Sequence, residues 1–245
     1  MAYSIPPAVR IVFFDMDNTL IANDCDVSWK IFLADKGLAG WRDRVLGRWH
    51  YFRYCIGRLN AESFTRFQFK QFIGKTAEEM RPLLDEHFRE RVLPRIYPAV
   101  FPLLDELKVR KIPRILITST NAEIARPLSE HLKMDALIAT ELERGPDGRF
   151  TGRAMGALCL GRQKLPAMEK AAGSLNDVMY WGDSAHDIPI LASVGYPLAA
   201  NPASKLRAEA KKRGWPIVDF TAPPRSKKAN TFGHEKNRMK TRMKD

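Results

Sequence analysis

The sequence predicts an α/β protein built on a doubly wound parallel sheet, with an all-helical domain inserted after the first strand. Two observations lead to this prediction. Short, nearly continuous apolar segments alternate with helical patterns in the second half of the chain, and one such segment stands near its start. Residues 25 to 93, between these parts, carry only helical patterns. Strand–helix alternation is typical of parallel sheets with helices on both faces.

The first strand is predicted at Arg10–Phe14, an apolar run of the kind found in strands that are buried on both faces. It leads directly into the motif Asp15-Met-Asp-Asn-Thr19. Taken alone, these aspartates are ordinary loop or helix-capping residues. They do not begin a calcium-binding EF-hand loop, because position six is Leu20 and position twelve is Asp26, where such a loop has Gly and Glu.

The inserted region is rich in aromatic and arginine residues at helical spacing. Gly37, Gly57 and Gly74 each stand where a helix would stop, and Thr76–Glu79 has the form of a capping box that opens a further helix. The aromatic side chains are interpreted as helical core rather than as a ligand cage. We expect a catalytic core from residues 1–22 and 95–222, a helical cap from 23–94, and a basic, flexible tail from 223–245.

The remaining elements alternate along the rest of the chain. Strands are predicted at 114–118, 136–140, 178–181, 196–200 and 216–220, and helices at 98–111, 122–132, 163–172, 188–194 and 204–213. The turn signal Gly145-Pro-Asp-Gly148 between short extended segments predicts a small hairpin.

The net charge of the chain is +12, and it is unevenly placed. The segment from Arg225 to Asp245 contains eight basic and two acidic residues, so nucleic acid or another anionic partner could bind it, although a solvated tail is the simpler interpretation. Three cysteines without metal-ligand spacing indicate a reducing compartment. With no secretory signal or membrane span in the sequence, we expect a cytoplasmic protein with no membrane partner. Its oligomeric state stays open.

Four polar segments adjoin predicted strands or the helix between them. They are Asp15–Thr19, Thr118–Asn121, Lys164 and Gly182–Asp187. Because parallel strands present their carboxyl ends at one edge of a sheet, these segments should converge there. Several carboxylates packed together need a cation, and oxygen ligands without a His or Cys cluster suit Mg²⁺. A carboxylate beside such a metal and a lysine can attack phosphorus.

The order and spacing of these motifs resemble the haloacid dehalogenase (HAD) superfamily. The resemblance covers residues 9 to 220 and is closest to the phosphoserine-phosphatase-like branch, which carries a helical cap after the first motif and includes bacterial histidinol-phosphate phosphatases. It implies a HAD-like Rossmannoid core and a magnesium-dependent phosphatase that forms an aspartyl-phosphate and acts on a small phosphorylated metabolite. Each motif alone is weak, and their joint order carries the resemblance.

The resemblance also implies roles for single residues. Asp15 resembles the nucleophile and Asp17 the general acid/base. Asp183 resembles the metal ligand, together with the Asp15 carboxylate and the Asp17 backbone carbonyl, and Asp187 the supporting acid behind them. The phosphate-binding group comprises Thr118, Ser119, Lys164 and the backbone amides around Met16 and Asn18.

Two further positions are candidates for selecting the substrate. Asp24 lies where phosphoserine phosphatases carry a glutamate that faces the substrate ammonium, and Arg66 is a candidate contact for a substrate carboxylate. A purely structural or solvated charge is the alternative interpretation of both. The Thr118–Asn121 motif departs from the Ser-Gly-Gly pattern of phosphoserine phosphatases and resembles a sister group of bacterial histidinol-phosphate or phosphoserine phosphatases. This resemblance implies an amino acid- or amino alcohol-type phosphate as the substrate, such as phosphoserine or histidinol phosphate.

Two other functions remain open at this stage. A phosphotransferase would pass the phosphoryl group to an acceptor other than water, and the sequence does not separate it from a hydrolase. A binding module for nucleic acid or an anionic surface would use the basic tail and a vestigial HAD core. The intact acidic set argues against the second function, because a non-catalytic core has no reason to keep mutually repelling groups.

Overall fold

The computed structural model describes residues 4–40, 67–221 and 223. Its eight strands are β1 Ile11–Phe14, β2 Arg114–Asn121, β3 Ala136–Thr140, β4 Leu142–Arg144, β5 Phe150–Ala154, β6 Val178–Gly182, β7 Tyr196–Ala200 and β8 Ile217–Val218. The α-helices that lie wholly within these residues are α1 Cys25–Asp35, α2 Ala77–His87, α3 Val100–Val109, α4 Ala122–His131, α5 Leu165–Ala172, α6 Ile188–Leu191 and α7 Ser204–Arg213.

Six strands form one sheet in the order β3-β2-β1-β6-β7-β8. Every neighbouring pair in this sheet is parallel. The first strand of the chain therefore lies at the centre, and the order reverses beside it, as in doubly wound folds. The predicted fold class is confirmed, and the carboxyl ends of β1, β2 and β6 meet at one edge.

Both faces of the sheet are covered by apolar side chains. Val12 and Phe14 of β1 point into the core beneath α1, α3 and α4, whereas Phe13 points into the core beneath α5 and α7. All three side chains are fully buried. This explains why β1 has a continuous apolar sequence, since successive side chains of a strand face opposite sides.

Turn and capping signals gave accurate boundaries. The hairpin predicted around Gly145–Gly148 is formed by β4 and β5, which pair antiparallel as a separate two-stranded sheet. Thr76 caps α2 with the predicted capping box, because its hydroxyl accepts from the Glu79 amide while the Glu79 carboxylate accepts from the Thr76 amide. The helical pattern then continues past α2 as a π-helical segment, Phe88–Val92.

Two elements are shorter than predicted. The last strand is only Ile217–Val218, because the Phe220 amide donates to the Asn201 side chain instead of continuing the ladder. The helix predicted at 188–194 ends at Leu191. None of the helices in the described part of the chain has the length and hydropathy that crossing a bilayer requires.

The two segments at the predicted core–cap boundaries lie side by side. Ile21 and Ile96 form an antiparallel bridge, and the Ala22 amide donates to the Arg95 carbonyl at 2.8 Å. The Arg95 guanidinium donates back to the Ala22 carbonyl at 3.1 Å. The division into core and cap remains a prediction, because residues 41–66 of the predicted cap lie outside the described part of the chain.

Candidate active site

A cavity of about 210 Å³ opens at the carboxyl edge of the central strands. Asp15 directly follows β1, and Asp183 directly follows β6, so the parallel pairing of these strands brings the two carboxylates together. Residues that line the cavity come from both core and α1: Asp15, Asp17, Asn18, Asp24, Asp26, Ser119, Leu160, Gly161, Lys164, Asp183, Ser184, His186 and Asp187.

Asp15 forms a buried ion pair with Lys164. The Lys164 ammonium donates to Asp15 Oδ1 at 2.6 Å, and the lysine side chain is 3% exposed. The Asp15 amide donates to the Trp181 carbonyl at 2.9 Å, which fixes the residue at the end of β1. Burial raises the pKa of Asp15 to about 6, although the Lys164 charge opposes this shift. Burial alone would lower the pKa of Lys164, but the Asp15 and Asp187 carboxylates outweigh it and raise that pKa.

Three carboxylates could hold a metal ion at this edge. Asp15, Asp183 and Asp187 each offer an oxygen, and these oxygens lie within 4.8 Å of one another. Burial raises the pKa of Asp183 to about 9, and the neighbouring Asp15 and Asp187 charges add to the shift. A buried all-oxygen set whose members repel one another fits a hard divalent cation such as Mg²⁺.

Stability of the metal-free protein should depend on Asp183 ionisation. Between its unfolded value of 3.8 and about 9, folded Asp183 keeps a proton that the unfolded chain releases, so its contribution to stability is lost as pH rises through this window. We expect Asp183→Asn, which cannot titrate, to gain stability relative to wild type from pH 4 to 9. Denaturant unfolding in chelator at several pH values measures this difference, and a difference that does not change with pH would contradict the expectation.

Tyr180 links the lysine to the supporting acid, and the sequence did not predict this. Its hydroxyl donates to Asp187 Oδ1 at 2.6 Å and accepts from the Lys164 ammonium at 3.0 Å. The other Asp187 oxygen accepts from the amide and the hydroxyl of Ser184, at 3.0 and 2.8 Å. Both oxygens of Asp187 are therefore hydrogen-bonded within the protein, which suits a residue that orients neighbours.

Close packing behind Asp187 depends on Gly182. A Cβ atom at this position would lie 2.7 Å from Asp187 Cγ and 2.8 Å from Tyr180 Cε1. We expect Gly182→Ala to lower the free energy of unfolding by about 1–3 kcal/mol, because overpacking forces side chains out of place. Activity should fall as well, because Asp187 and Tyr180 would move.

Gly40→Ala is the matched control, since a Cβ there meets nothing within 4 Å. Thermal or denaturant unfolding and an ester-hydrolysis assay compare the two variants. Equal behaviour of Gly182→Ala and Gly40→Ala would show that the site tolerates the extra methyl group.

Asp17 is held by donors on both of its oxygens. The Cys25 amide donates to Oδ1 at 2.8 Å, and the Thr120 hydroxyl donates to Oδ2 at 2.9 Å. Burial raises the pKa of Asp17 well above its usual value, and the negative charges of Asp24 and Asp15 raise it further. This environment favours a carboxyl group that can carry a proton near neutral pH.

The loop between Asp15 and Leu20 is fixed by its backbone. Asn18 has φ of 58°, and the Asn201 side-chain amide donates to the Asn18 carbonyl at 2.8 Å. The Leu20 amide donates to the Met16 carbonyl at 3.0 Å, and the Met16 side chain is fully buried. Asn18 lines the cavity, whereas the Met16 side chain packs in the hydrophobic core.

The predicted phosphate-binding residues of β2 lie at two depths. Thr118 is 1% exposed, and its hydroxyl accepts from the Thr120 amide at 3.1 Å. Ser119 is exposed and lines the cavity. The strand therefore exposes Ser119 at the cavity and buries the Thr118 side chain.

Of the two residues predicted to select the substrate, only Asp24 lies in the described part of the chain. Asp24 lines the cavity and also caps α1, because its Oδ1 accepts from the Val27 amide at 3.0 Å. Asp26 on the same helix lines the cavity as well, and it was not predicted. Burial, together with the Asp24 charge, raises the pKa of Asp26 to about 7. Arg66 lies outside the described residues.

Fold and site together define an α/β protein with a carboxylate-rich centre at the carboxyl edge of a parallel sheet. A sequence profile of the haloacid dehalogenase-like hydrolases matches residues 12–192, so this chain belongs to that family.

Relatives of known name or structure agree with this assignment. The chain is 30% identical to a histidinol-phosphatase from Neisseria meningitidis serogroup C, over 86% of this chain and 99% of that protein. It is 29% identical to a phosphoserine phosphatase from Mycobacterium tuberculosis, over 85% of this chain and 70% of that protein. A crystal structure of a Bordetella pertussis protein of unknown function is similar with a TM-score of 0.79 and 30% identity, covering 86% and 98% of the two chains.

Proposed function

We propose that the chain is a magnesium-dependent phosphatase that hydrolyses a small phosphate monoester through an aspartyl-phosphate at Asp15. The observation that carries this proposal is the buried contact between the Asp15 carboxylate and the Lys164 ammonium at the carboxyl end of β1. A second carboxylate, Asp183, lies close enough to share a cation with Asp15. Asp15, Asp183 and the Asp17 backbone carbonyl would hold Mg²⁺, which supplies charge neutralisation for the phosphate and the nucleophile.

In the first step, an Asp15 carboxylate oxygen attacks phosphorus, and the bond from phosphorus to the ester oxygen breaks. Lys164 lowers the repulsion between the carboxylate and the phosphate because its ammonium already contacts Asp15. Protonated Asp17 gives its proton to the departing ester oxygen, so the product leaves as an alcohol. The raised pKa of Asp17 supports this role, since an ordinary aspartate would hold no proton at neutral pH.

In the second step, water attacks the phosphorus of the aspartyl-phosphate. Asp17, now a carboxylate, takes a proton from that water, and the bond between phosphorus and the Asp15 oxygen breaks. Inorganic phosphate leaves, and both aspartates return to their starting states. Ser119 and the backbone amides around Met16 and Asn18 would contact the phosphate oxygens, and the Thr118 hydroxyl, which accepts from the Thr120 amide, is the further contact that the sequence predicts.

The substrate is proposed to be small and to carry a positive group. A cavity of about 210 Å³ has room for a phosphate and a short leaving group. Asp24 and Asp26 add two carboxylates to the wall formed by α1, which favours an ammonium or imidazolium over a neutral or acidic group. The names of the relatives, histidinol-phosphatase and phosphoserine phosphatase, support an amino acid- or amino alcohol-type phosphate.

A panel of phosphate monoesters tests the proposal. We expect hydrolysis of histidinol phosphate, phosphoserine and phosphoethanolamine at higher kcat/KM than of propyl phosphate, which matches phosphoethanolamine in size but lacks the ammonium. Asp24→Asn should reduce this preference without unfolding α1, because an asparagine also caps a helix. If no ester in the panel is hydrolysed, the proposed phosphatase activity is refuted. Equal kcat/KM on phosphoethanolamine and propyl phosphate would refute only the proposed preference for a positively charged substrate.

A further inference from the structure

We propose that Thr120 is the positioning residue of the proton-transfer step: its hydroxyl sets the plane of the Asp17 carboxyl group. This inference rests on the proposed function, in which Asp17 is the acid and base. The sequence placed Thr120 in the polar segment Thr118–Asn121 but gave it no role of its own, because it stands inside the buried strand β2 and follows the two residues expected to bind phosphate.

Two hydrogen bonds on opposite oxygens hold the Asp17 carboxyl. Thr120 Oγ1 donates to Oδ2 at 2.9 Å, and the Cys25 amide donates to Oδ1 at 2.8 Å. The last torsion of an aspartate side chain is soft and has broad minima, so one donor alone leaves the carboxyl plane free to tilt. With both donors in place the plane is fixed, and the proton carried by Asp17 has a fixed direction.

The alternation of β2 explains how Thr120 reaches Asp17. Thr118 and Thr120 are two residues apart and both buried, whereas Ser119 between them is exposed toward the cavity. The Thr120 amide donates to the Thr118 hydroxyl at 3.1 Å. Thr120 therefore contacts both Thr118, a predicted phosphate-binding residue, and Asp17, the residue proposed to transfer the proton.

The two donors leave Asp17 free to carry out the proton transfer. Each carboxyl oxygen has two lone-pair sites, and the Thr120 hydroxyl and the Cys25 amide occupy one site on each oxygen. The remaining sites can carry the proton that Asp17 gives to the ester oxygen and regains from the attacking water. Thr120 donates to Asp17 throughout and keeps its own proton.

The alternative is that Thr120 is only a buried polar residue that has found a partner. Thr120 is 1% exposed, and buried hydroxyls are nearly always hydrogen-bonded. The two interpretations differ in one respect. A positioning role makes the cost of removing the hydroxyl depend on whether the leaving group needs a proton, whereas a structural role lowers the rates on all substrates alike.

The test compares Thr120→Val, which keeps the shape, with Thr120→Ser, which keeps the hydroxyl. Each variant is assayed with p-nitrophenyl phosphate, whose leaving group departs without a proton, and with the best alkyl phosphate of the panel. We expect Thr120→Val to lower kcat/KM about 10- to 100-fold on the alkyl ester and less than about threefold on the aryl ester. Thr120→Ser should stay near wild type on both esters.

Three outcomes would overturn the inference: wild-type kcat/KM in Thr120→Val on both esters, equal losses on both esters, or a Thr120→Ser variant as impaired as Thr120→Val. Thermal unfolding of each variant checks that the fold is kept. Asp17→Asn, measured alongside, separates this inference from the proposed function. Full activity of Asp17→Asn on the alkyl ester would refute the proposed acid/base and the inference together, while an impaired Asp17→Asn beside an unaffected Thr120→Val refutes the inference alone.

Discussion

Asp15→Asn is expected to lower kcat by about 10⁴-fold or more, because the amide that replaces the carboxylate is not a nucleophile and the remaining groups supply only binding and charge. The fold should survive. The Lys164 ammonium donates to Asp15 Oδ1 and to the Tyr180 hydroxyl, and an asparagine oxygen can replace the first of these acceptors. Steady-state hydrolysis of the best ester in the panel and thermal unfolding measure the two effects.

Asp147→Asn is the matched control for this substitution. Asp147 is exposed in the turn of the β4–β5 hairpin, and its Oδ1 accepts from the Arg149 amide, which an asparagine can also do. This variant should keep wild-type activity and stability. Turnover of Asp15→Asn at the rate of Asp147→Asn would remove Asp15 from the nucleophile's role, and unfolding of Asp15→Asn would show that the Lys164 contact is mainly structural.

Removal of divalent cations is expected to abolish hydrolysis, and added Mg²⁺ to restore it. A readout independent of turnover is the stability of the protein. The oxygens of Asp15, Asp183 and Asp187 are brought together only in the folded state, so a cation that binds them stabilises the fold, by about 2.7 kcal/mol at 100 times its Kd. Thermal unfolding in chelator and at rising Mg²⁺ concentration should show this increase.

Asp183→Asn and Asp147→Asn separate the cation site from general salt effects. The first removes a proposed ligand and should lose most of the Mg²⁺-dependent stabilisation, whereas the second should keep it. Full activity in chelator would exclude the cation from the reaction. An unchanged Mg²⁺ response in Asp183→Asn would place the cation elsewhere on the protein.

Local sequence patterns were sufficient for most of the fold. Ala136–Thr140, Tyr196–Ala200 and Ser204–Arg213 have the predicted bounds, because apolar runs, capping residues and glycines act within a few residues of the chain. The end of β8 was not predictable in the same way. It depends on the Asn201 side chain, whose oxygen accepts a hydrogen bond from the Phe220 amide.

Site residues that belong to a sequence motif were predictable, whereas residues that join the site through side-chain contacts with other parts of the chain were not. Tyr180 lies in the apolar run Val-Met-Tyr-Trp, so the sequence predicts an aromatic residue of the core. Its side chain is indeed fully buried. Its contacts with Lys164 and Asp187 join positions that lie 16 and 7 residues away. The segments that contain Asp17 and Thr120 were expected to converge, but the hydrogen bond between these two side chains, 103 residues apart, was not predictable from either segment.

Asp24 illustrates a position at which both interpretations of the sequence hold. The structure places it on the cavity wall, as expected of a substrate contact, and at the N-cap of α1, as expected of a structural aspartate. Its substrate role stays a prediction. Asp26, two residues further on, gave no signal in the sequence because one acidic residue in the first turn of a helix is ordinary.

The central claim is that phosphorus becomes bonded to the Asp15 carboxylate during turnover. Acid quenching during the reaction, followed by borohydride reduction, converts an aspartyl-phosphate to homoserine and leaves free carboxylates unchanged. Peptide mapping by mass spectrometry should then find homoserine at position 15, in a yield that depends on substrate and vanishes in Asp15→Asn. Homoserine at another aspartate, or at none while the ester is being hydrolysed by wild type, would contradict the account.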